Sequence, residues 1–283
     1  MNLSDEFRKY ATKQHGVNSL YYDKIIGSMT PYIMEERQLN VAQMDVFSRL
    51  MMDRIIFLGT DVNDQVANIV TAQLLFLESV DSAKDIQIYI NSPGGSAFLS
   101  EQIWHQVRQL KAKVPVVVSM GDLAASGGYY IASAADAIVA SPVTLTGSIG
   151  IFGIVPEASA LAKRLGLSMD VVKTSPYADL ELGGILGVGI NGLSPEEKAV
   201  IQGMVERGYR TFLSRVAEGR KLSVDSVDHI GQGRVWLGAK AKELGLVDEL
   251  GGLETAVRLA AKLAGVSNNY YVSYGETSHS LWQ

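Results

Sequence analysis

The sequence contains no cysteine and only four histidines among its 283 residues. The absence of cysteine excludes disulfide bonds, a thiol nucleophile and a metal site built on thiolates. Long runs of lysine or arginine are also absent, and the net charge of −5 gives no electrostatic attraction for nucleic acid or for an anionic membrane surface. We therefore expect no nucleic-acid partner, no metal and no other cofactor.

The first thirty residues include several charged side chains and no apolar run long enough for a signal peptide or a membrane span. This pattern predicts a cytoplasmic protein without a membrane-spanning segment. Residues 1–31 are polar and predict a flexible arm, which is either a processed leader or a loosely held terminus. Residues 266–283 predict a carboxy-terminal strand followed by a tail.

Between these ends, buried apolar runs alternate with stretches of helical periodicity. Hydrophobic residues make up 47% of the chain, enough to bury one α/β core. The pattern predicts repeated β-α units with a parallel sheet and flanking helices, in a single domain over 32–265. Strands are expected at 137–140 and 169–173, and helices at 156–165, 224–230 and 253–263. A capping box of Ser194 and Glu197 is expected to begin a long helix that buries Met204, and Leu99 is expected on the apolar stripe of an earlier helix. The mean hydropathy of +0.12 is high for a soluble monomer and favours large apolar contacts between subunits.

One stretch, residues 116–130, has the pattern of a strand, a turn and a helix start. The β-branched run from Val116 predicts the strand, Gly121 predicts the turn, and the small-residue helix is expected to begin near Ala124. A hydroxyl at such a junction lies beside unpaired backbone N–H groups. Ser126 is therefore a candidate nucleophile. The alternative is that these small residues only let a helix approach the sheet closely.

A second stretch strengthens the first interpretation. Residues 86–90 alternate as a strand, which ends in Asn-Ser-Pro-Gly-Gly-Ser over 91–96. The glycines Gly94 and Gly95 permit close approach of backbone N–H groups to a ligand. If the two strands are parallel neighbours, N–H donors and the Ser126 nucleophile meet at the same edge of the sheet.

These motifs resemble two families of one superfamily. Residues from about 32 to 96 resemble the ClpP protease-subunit family, and residues from about 92 to 265 resemble the carboxy-terminal half of signal peptide peptidase A, also called protease IV. The ClpP resemblance rests on Val46-Phe-Ser-Arg-Leu50, Asp53-Arg-Ile-Ile-Phe-Leu-Gly59, Ala72-Gln-Leu-Leu-Phe-Leu77 and Tyr89-Ile-Asn-Ser-Pro-Gly-Gly95; the second rests on Val117-Val-Ser-Met-Gly121, Ala124-Ala-Ser-Gly-Gly-Tyr129, Leu145-Thr-Gly-Ser-Ile-Gly-Ile-Phe-Gly153 and Gly245-Leu-Val-Asp248. The chain thus looks like a chimera joined at the shared Ser-Pro-Gly-Gly motif.

The resemblance implies a ClpP/crotonase-like fold and a serine endopeptidase. It places the oxyanion donors at the Gly95 and Gly127 amides. The substrate it implies is an extended peptide or unfolded protein, which pairs as an added β-strand with Ser92, Pro93, Gly94 and Gly95. It also implies a homo-oligomeric ring, and the ClpP-like part raises a Clp-type ATPase as a partner.

The general base is missing from the positions that the resemblance predicts. The ClpP histidine aligns near Ser148, where no histidine stands, and the lysine of short signal peptide peptidases aligns with Ala178. Lys173 is the nearest substitute, although five extended residues would span more than ~15 Å. His105 and His229 are expected on solvated helix faces.

Two alternatives to an active peptidase stay open. One is a catalytically impaired oligomeric scaffold that binds peptide without turnover, which the missing base favours. The other is a crotonase-like acyl-CoA enzyme, which the helix-initial serine disfavours. The glycine-rich stretch 174–192 predicts either a flap over the site or an interface loop.

Overall fold

The computed structural model describes residues 32–37, 40–80, 84–168, 170, 172–178, 180 and 192–266. The predicted arm over 1–31 and the tail over 267–283 lie outside these ranges, as does most of the glycine-rich stretch. Of the strand expected over 169–173, the described residues 170, 172 and 173 have irregular backbone.

Nine strands and nine helices occur in the described residues. The strands are β1 (Tyr32–Arg37), β2 (Asn40–Asp45), β3 (Ile55–Leu58), β4 (Ile86–Ser92), β5 (Val116–Ala125), β6 (Ala137–Ala140), β7 (Leu145–Gly147), β8 (Val235–Leu237) and β9 (Glu249–Leu250). The helices are α1 (Val46–Met52), α2 (Asp64–Val80), α3 (Ala97–Lys111), α4 (Gly127–Ala132), α5 (Ser159–Arg164), α6 (Pro195–Arg220), α7 (Val224–Ile230), α8 (Gly238–Glu243) and α9 (Leu253–Leu263).

The main sheet is parallel along the order β3-β4-β5-β6-β9, which confirms the predicted α/β class. Strand β5 has two different neighbours on one side: residues 117–120 pair with β6, and residues 123–125 pair with β7. Strand β8 then adds to β7 in the antiparallel sense. The chain around Ser126 therefore leaves the sheet where β5 has changed partners. The antiparallel pair β1-β2 is separate from this sheet, and the sequence did not predict it.

The turn expected at Gly121 and the helix start expected near Ala124 are wrong. Strand β5 runs on to Ala125, with a bulge opposite β4, because Ile90 pairs with Met120 but Ser92 pairs with Ala124. A Cβ on Gly121 would lie 2.6 Å from the Tyr89 hydroxyl, so the glycine serves close packing inside the bulge.

Several helices agree with the sequence prediction. Helices α7 and α9 and strand β6 have the predicted bounds, and Ser194 and Glu197 form the predicted capping box at the start of α6. Helix α5 is shorter than the predicted 156–165 and begins at Ser159.

Two predicted burial patterns need correction. In α6 the expected core residue Met204 is 40% exposed, because the buried positions of this helix lie in its second half, at Phe212, Leu213, Val216 and Ala217. In α3 the expected Leu99 is only partly buried, and Ser100 takes the core-facing position beside Ile103. The main core lies between the sheet and helices α2, α3, α4 and α6.

Candidate active site

Ser126 forms the junction between β5 and α4 and has an uncommon backbone conformation. Its φ is 52° and its ψ is −120°. A residue other than glycine adopts positive φ at a cost in free energy, so the surrounding structure must hold it there. The Ser126 side chain makes no capping hydrogen bond to α4, and the residue is half-buried. Its hydroxyl is therefore not used to stabilise the helix that it precedes.

Main-chain hydrogen bonds hold Ser126 on both sides. Its N–H donates to the carbonyl oxygen of Gly147 in β7 at 2.9 Å, and its own carbonyl oxygen accepts from the N–H of Tyr130 at 2.8 Å. The first bond ties the nucleophile candidate to the sheet, and the second ties it to the first turn of α4. Both bonds involve only the backbone, so they would persist in a Ser126→Ala variant.

The Gly94–Gly95 turn is held by Val62, a residue between β3 and α2. The Val62 N–H donates to the Gly94 carbonyl oxygen at 2.8 Å, and the Ser96 N–H donates to the Val62 carbonyl oxygen at 2.9 Å. These bonds form a single parallel bridge between Val62 and Gly95, and they leave the N–H of Gly95 directed away from Val62. The buried Ser92 hydroxyl also accepts from the Gly94 N–H at 3.1 Å.

The two glycine segments lie against each other. A Cβ added to Gly94 would collide with the Gly127 nitrogen and lie 2.8 Å from Ser126 Cβ, and a Cβ added to Gly127 would lie 3.1 Å from the Gly95 nitrogen. Within the described residues, no hydrogen bond has the N–H of Gly95 or Gly127 as donor. Two unpaired amides beside a serine are the arrangement that stabilises an oxyanion formed on an attacked carbonyl carbon.

The structure thus brings together Ser126, Gly95 and Gly127, which the sequence assigned to one site. Ser92 and Gly94 lie behind them and support the turn, whereas Pro93 is exposed. The catalytic roles of these residues stay predictions.

Among the described residues, Lys173, which the sequence suggested as a general base, is not placed at this site. Lys173 is exposed, and its Nζ donates to the Pro176 carbonyl oxygen at 2.9 Å. It lines an open pocket with Glu157, Tyr177 and other residues, and the described residues of that pocket do not include Ser126. A lysine acts as a base near neutral pH when burial keeps it unprotonated, so its exposure does not favour Lys173.

Ser148 is one residue away from a backbone contact of Ser126, because the Gly147 carbonyl oxygen accepts the hydrogen bond from the Ser126 N–H. It follows Gly147, is half-buried and has a φ of 51°. The two histidines considered earlier lie on helix surfaces: His105 is 48% exposed and pairs with Glu101, and His229 is exposed on α7.

Two supporting residues escaped the sequence prediction. Val62 makes a single bridge to a residue 33 positions away in sequence, and such a bridge has no local pattern. Ser100 had a detectable signal, since it occurs at helical spacing from the buried Ile103 and Val107 of α3. Its hydroxyl donates to the Ser96 carbonyl oxygen at 2.8 Å and fills the space where a Gly127 side chain would lie.

A charged cluster packs behind α4. The Tyr130 hydroxyl donates to Glu101 of α3 at 2.5 Å, and the Arg215 guanidinium of α6 binds both Glu101 oxygens at 2.5–3.2 Å. Burial would raise the pKa of Glu101, but hydrogen bonds from Arg215 and Tyr130 outweigh it and hold that pKa below its ordinary value. Burial, and then the bond to Glu101, raises the pKa of the Tyr130 hydroxyl. The cluster is therefore an ionised carboxylate held by a guanidinium and a neutral phenol.

The part of the chain that the structure describes holds no group of three or more histidine, aspartate or glutamate side chains placed to bind a metal ion. None of the described helices is both long enough and apolar enough to cross a membrane.

Comparisons with known proteins match two families. The profile of peptidase family S49 matches residues 108–267, more than half of the chain, and the profile of the Clp protease family matches residues 37–143. The two matches overlap over 108–143, which contains β5, α4 and β6. The chain therefore combines a Clp-protease-like part with an S49-like part, as the sequence motifs predicted.

Individual relatives show the same division. Protease 4 of Salmonella typhi is 46% identical over 182 residues, and the match covers 64% of this chain and 28% of the relative. The chloroplastic serine protease SPPA of Arabidopsis thaliana is 36% identical, over 74% of this chain and 31% of the relative. The proteolytic subunit of the ATP-dependent Clp protease of Bacteroides fragilis is 56% identical over 117 residues, covering 40% of this chain and 53% of the relative. The chain thus spans about a third to a half of these relatives, and by its S49 match it belongs to peptidase family S49.

Proposed function

We propose that this protein is a serine endopeptidase that hydrolyses peptide bonds in extended peptides. The observation that carries the proposal is the strained Ser126 at the end of β5, between the unpaired amides of Gly95 and Gly127. The names of its relatives, which include proteases of both families, support the same class of reaction.

In the proposed reaction, Ser126 Oγ attacks the scissile carbonyl carbon and its proton passes to a base. The carbonyl oxygen becomes an oxyanion, which the Gly95 and Gly127 amides stabilise. Collapse of this intermediate expels the amine, which takes up the proton and leaves an acyl group on Ser126. Water then attacks the acyl group and releases the second product. The Gly95 edge that faces away from Val62 offers backbone groups for pairing with a substrate strand over Ser92–Gly95.

The base is the open element of this mechanism. Neither Ser148 nor the exposed Lys173 supplies an obvious one, so a second candidate function is a peptide-binding scaffold of impaired activity. We further propose one domain over 32–265, ClpP-like to about residue 96, in a cytoplasmic homo-oligomeric ring. Exposed apolar side chains such as Phe152, Ile154 and Leu165 support subunit contacts. A Clp-type ATPase is the partner suggested by the ClpP-like part.

The test is covalent labelling by a fluorophosphonate, which reacts with an activated serine. We expect labelling of the unmodified protein, none in Ser126→Ala, and full labelling in Ser214→Ala, which changes an exposed serine on α6. Hydrolysis of a fluorogenic peptide should fall by about 10³-fold or more in Ser126→Ala. A folded, oligomeric protein that is not labelled but still binds peptide would favour the scaffold.

A further inference from the structure

The two proposed oxyanion donors belong to different helices, so their spacing depends on how those helices pack. Gly95 lies just before α3, and Gly127 is the first residue of α4. The oxyanion hole has the correct width only while α3 and α4 keep their relative position. Contacts that fix this position are therefore candidates for a role in catalysis, even when they do not touch the substrate.

Two side-chain hydrogen bonds join α3 to α4 and its C-cap. Trp104 Nε1 of α3 donates to the hydroxyl of Ser133, the C-cap of α4, at 3.2 Å, and the second bond lies closer to Ser126 in sequence. The Tyr130 hydroxyl of α4 donates to Glu101 Oε2 of α3 at 2.5 Å. Glu101 follows Ser100, whose hydroxyl would collide with a Cβ added to Gly127, so this bond occurs near a close contact of the two helices. The bond is charge-assisted, and such hydrogen bonds are about twice as strong as neutral ones.

Glu101 and Tyr130 each make further contacts that restrict their side chains. Arg215 of α6 binds both oxygens of Glu101, and His105 Nε2 lies 3.0 Å from Glu101 Oε1. The Tyr130 ring is 3% exposed and packs against Phe212 with ring centroids 4.4 Å apart. Because neither side chain is free to move, the bond transmits the position of α3 to α4.

The Tyr130 backbone carries this constraint to the nucleophile. Its N–H bonds the carbonyl oxygen of Ser126, so Tyr130 stands one helical turn after the junction. We propose that Tyr130 and Glu101 are positioning residues that hold the Gly95 and Gly127 amides at the separation needed to bind an oxyanion. The catalytic part of this inference rests on the proposed function of Ser126.

The neighbouring tyrosine provides a matched control. Tyr129 is equally buried on α4, but its hydroxyl donates to the Leu246 carbonyl oxygen at 2.9 Å, between α8 and β9. Tyr129→Phe and Tyr130→Phe each remove one hydroxyl and one hydrogen bond, which is buried for Tyr129 and partly buried for Tyr130. Only Tyr130→Phe removes a bond between α4 and α3.

The first measurement is amide hydrogen exchange over residues 92–100, which include the Gly94–Gly95 turn and the start of α3. We expect Tyr130→Phe to speed exchange of the Gly94, Ser96 and Ser100 amides by about fivefold or more, since losing this charge-assisted hydrogen bond makes local opening of the segment more favourable. Tyr129→Phe should leave this segment unchanged. Equal exchange in the two variants would overturn the proposal, and this comparison needs no reactive serine.

The second measurement is the rate of fluorophosphonate labelling as a function of probe concentration. Tyr130→Phe should lower the maximal rate constant by about tenfold and leave the half-saturating concentration unchanged, because the oxyanion forms only in the transition state. Glu101→Gln keeps an acceptor for Tyr130 and should lower the maximal rate constant by a smaller factor. This variant replaces Tyr130→Phe in the test if Tyr130→Phe does not fold. A loss of probe affinity at an unchanged maximal rate would contradict the positioning role while leaving Ser126 as nucleophile.

Discussion

The N–H of Ser126 donates a hydrogen bond to the Gly147 carbonyl oxygen at 2.9 Å, and this bond places Ser148 one residue away from a backbone contact of Ser126. The φ of 51° at Ser148 belongs to a region that histidine enters more readily than most residues. The ClpP resemblance aligns a catalytic histidine near this position. The backbone at position 148 is thus compatible with a histidine base, although the sequence has a serine there.

We therefore expect Ser148→His to speed fluorophosphonate labelling by about tenfold or more, since a positioned general base contributes about 10²–10⁴-fold. The gain should appear as the pH rises through about 6.5, because only the neutral imidazole accepts the serine proton. Ser148→Ala is the control for loss of the hydroxyl. An equal gain in Ser148→Ala, or a gain without pH dependence, would contradict this expectation.

Gly94→Ala should disrupt the candidate site and the fold together. The added methyl group would meet the Gly127 nitrogen and the Ala125 carbonyl oxygen, and the φ of +96° is strained for alanine. We expect a loss of about 3 kcal/mol in the free energy of unfolding and loss of labelling. Gly203→Ala, in α6, should instead stabilise the protein by about 0.5–1 kcal/mol, since its Cβ meets only Arg207 at an ordinary 3.5 Å. Urea denaturation measures both, and equal effects would show that the close approach at Gly94 can relax.

Glu101 should make the folded state sensitive to acid. Its pKa lies below its ordinary value of 4.5 in the fold, because the bonds from Arg215 and Tyr130 outweigh burial. A group with a lowered pKa contributes stability above its unfolded pKa, and that contribution is lost as the pH falls through the folded pKa. The free energy of unfolding of Glu101→Gln should therefore vary less than that of the unmodified protein below about pH 4.5. Parallel curves for Glu101→Gln and the unmodified protein would refute the assignment.

Arg220 of α6 should contribute more to stability than the exposed Arg210 of the same helix. The Arg220 guanidinium is 6% exposed, binds both Asp248 oxygens at 2.7–2.9 Å and donates to the Gly245 carbonyl oxygen at 3.0 Å. We expect Arg220→Ala to cost about 2 kcal/mol of stability, less than a fully buried pair because Asp248 is 39% exposed. Arg210→Ala, which removes an exposed pair with Glu206, should change thermal stability by less than about 0.5 kcal/mol. A similar loss in both variants would mean that burial of Arg220 adds nothing.

The sequence correctly predicted the features that depend on local sequence pattern. The helices α7 and α9, the capping box at Ser194 and the approach of Gly95 to Ser126 all follow from periodicity, capping chemistry and parallel strand order. It failed where distant segments decide the outcome. The continuation of β5 past Gly121 depends on pairing with β7, and the bridge at Val62 depends on a contact between separate loops. The Tyr130–Glu101 bond likewise joins residues 29 positions apart.

The change of partner along β5 also explains how segments that match two different families share one sheet. One edge of β5 pairs with β4, which lies in the Clp-protease match. The other edge pairs first with β6 and then with β7, and β7 lies only in the S49 match. Both ladders consist of backbone hydrogen bonds, which do not depend on side-chain identity. A strand with this property can join a Clp-protease-like strand on one side to an S49-like strand on the other while the sheet stays continuous.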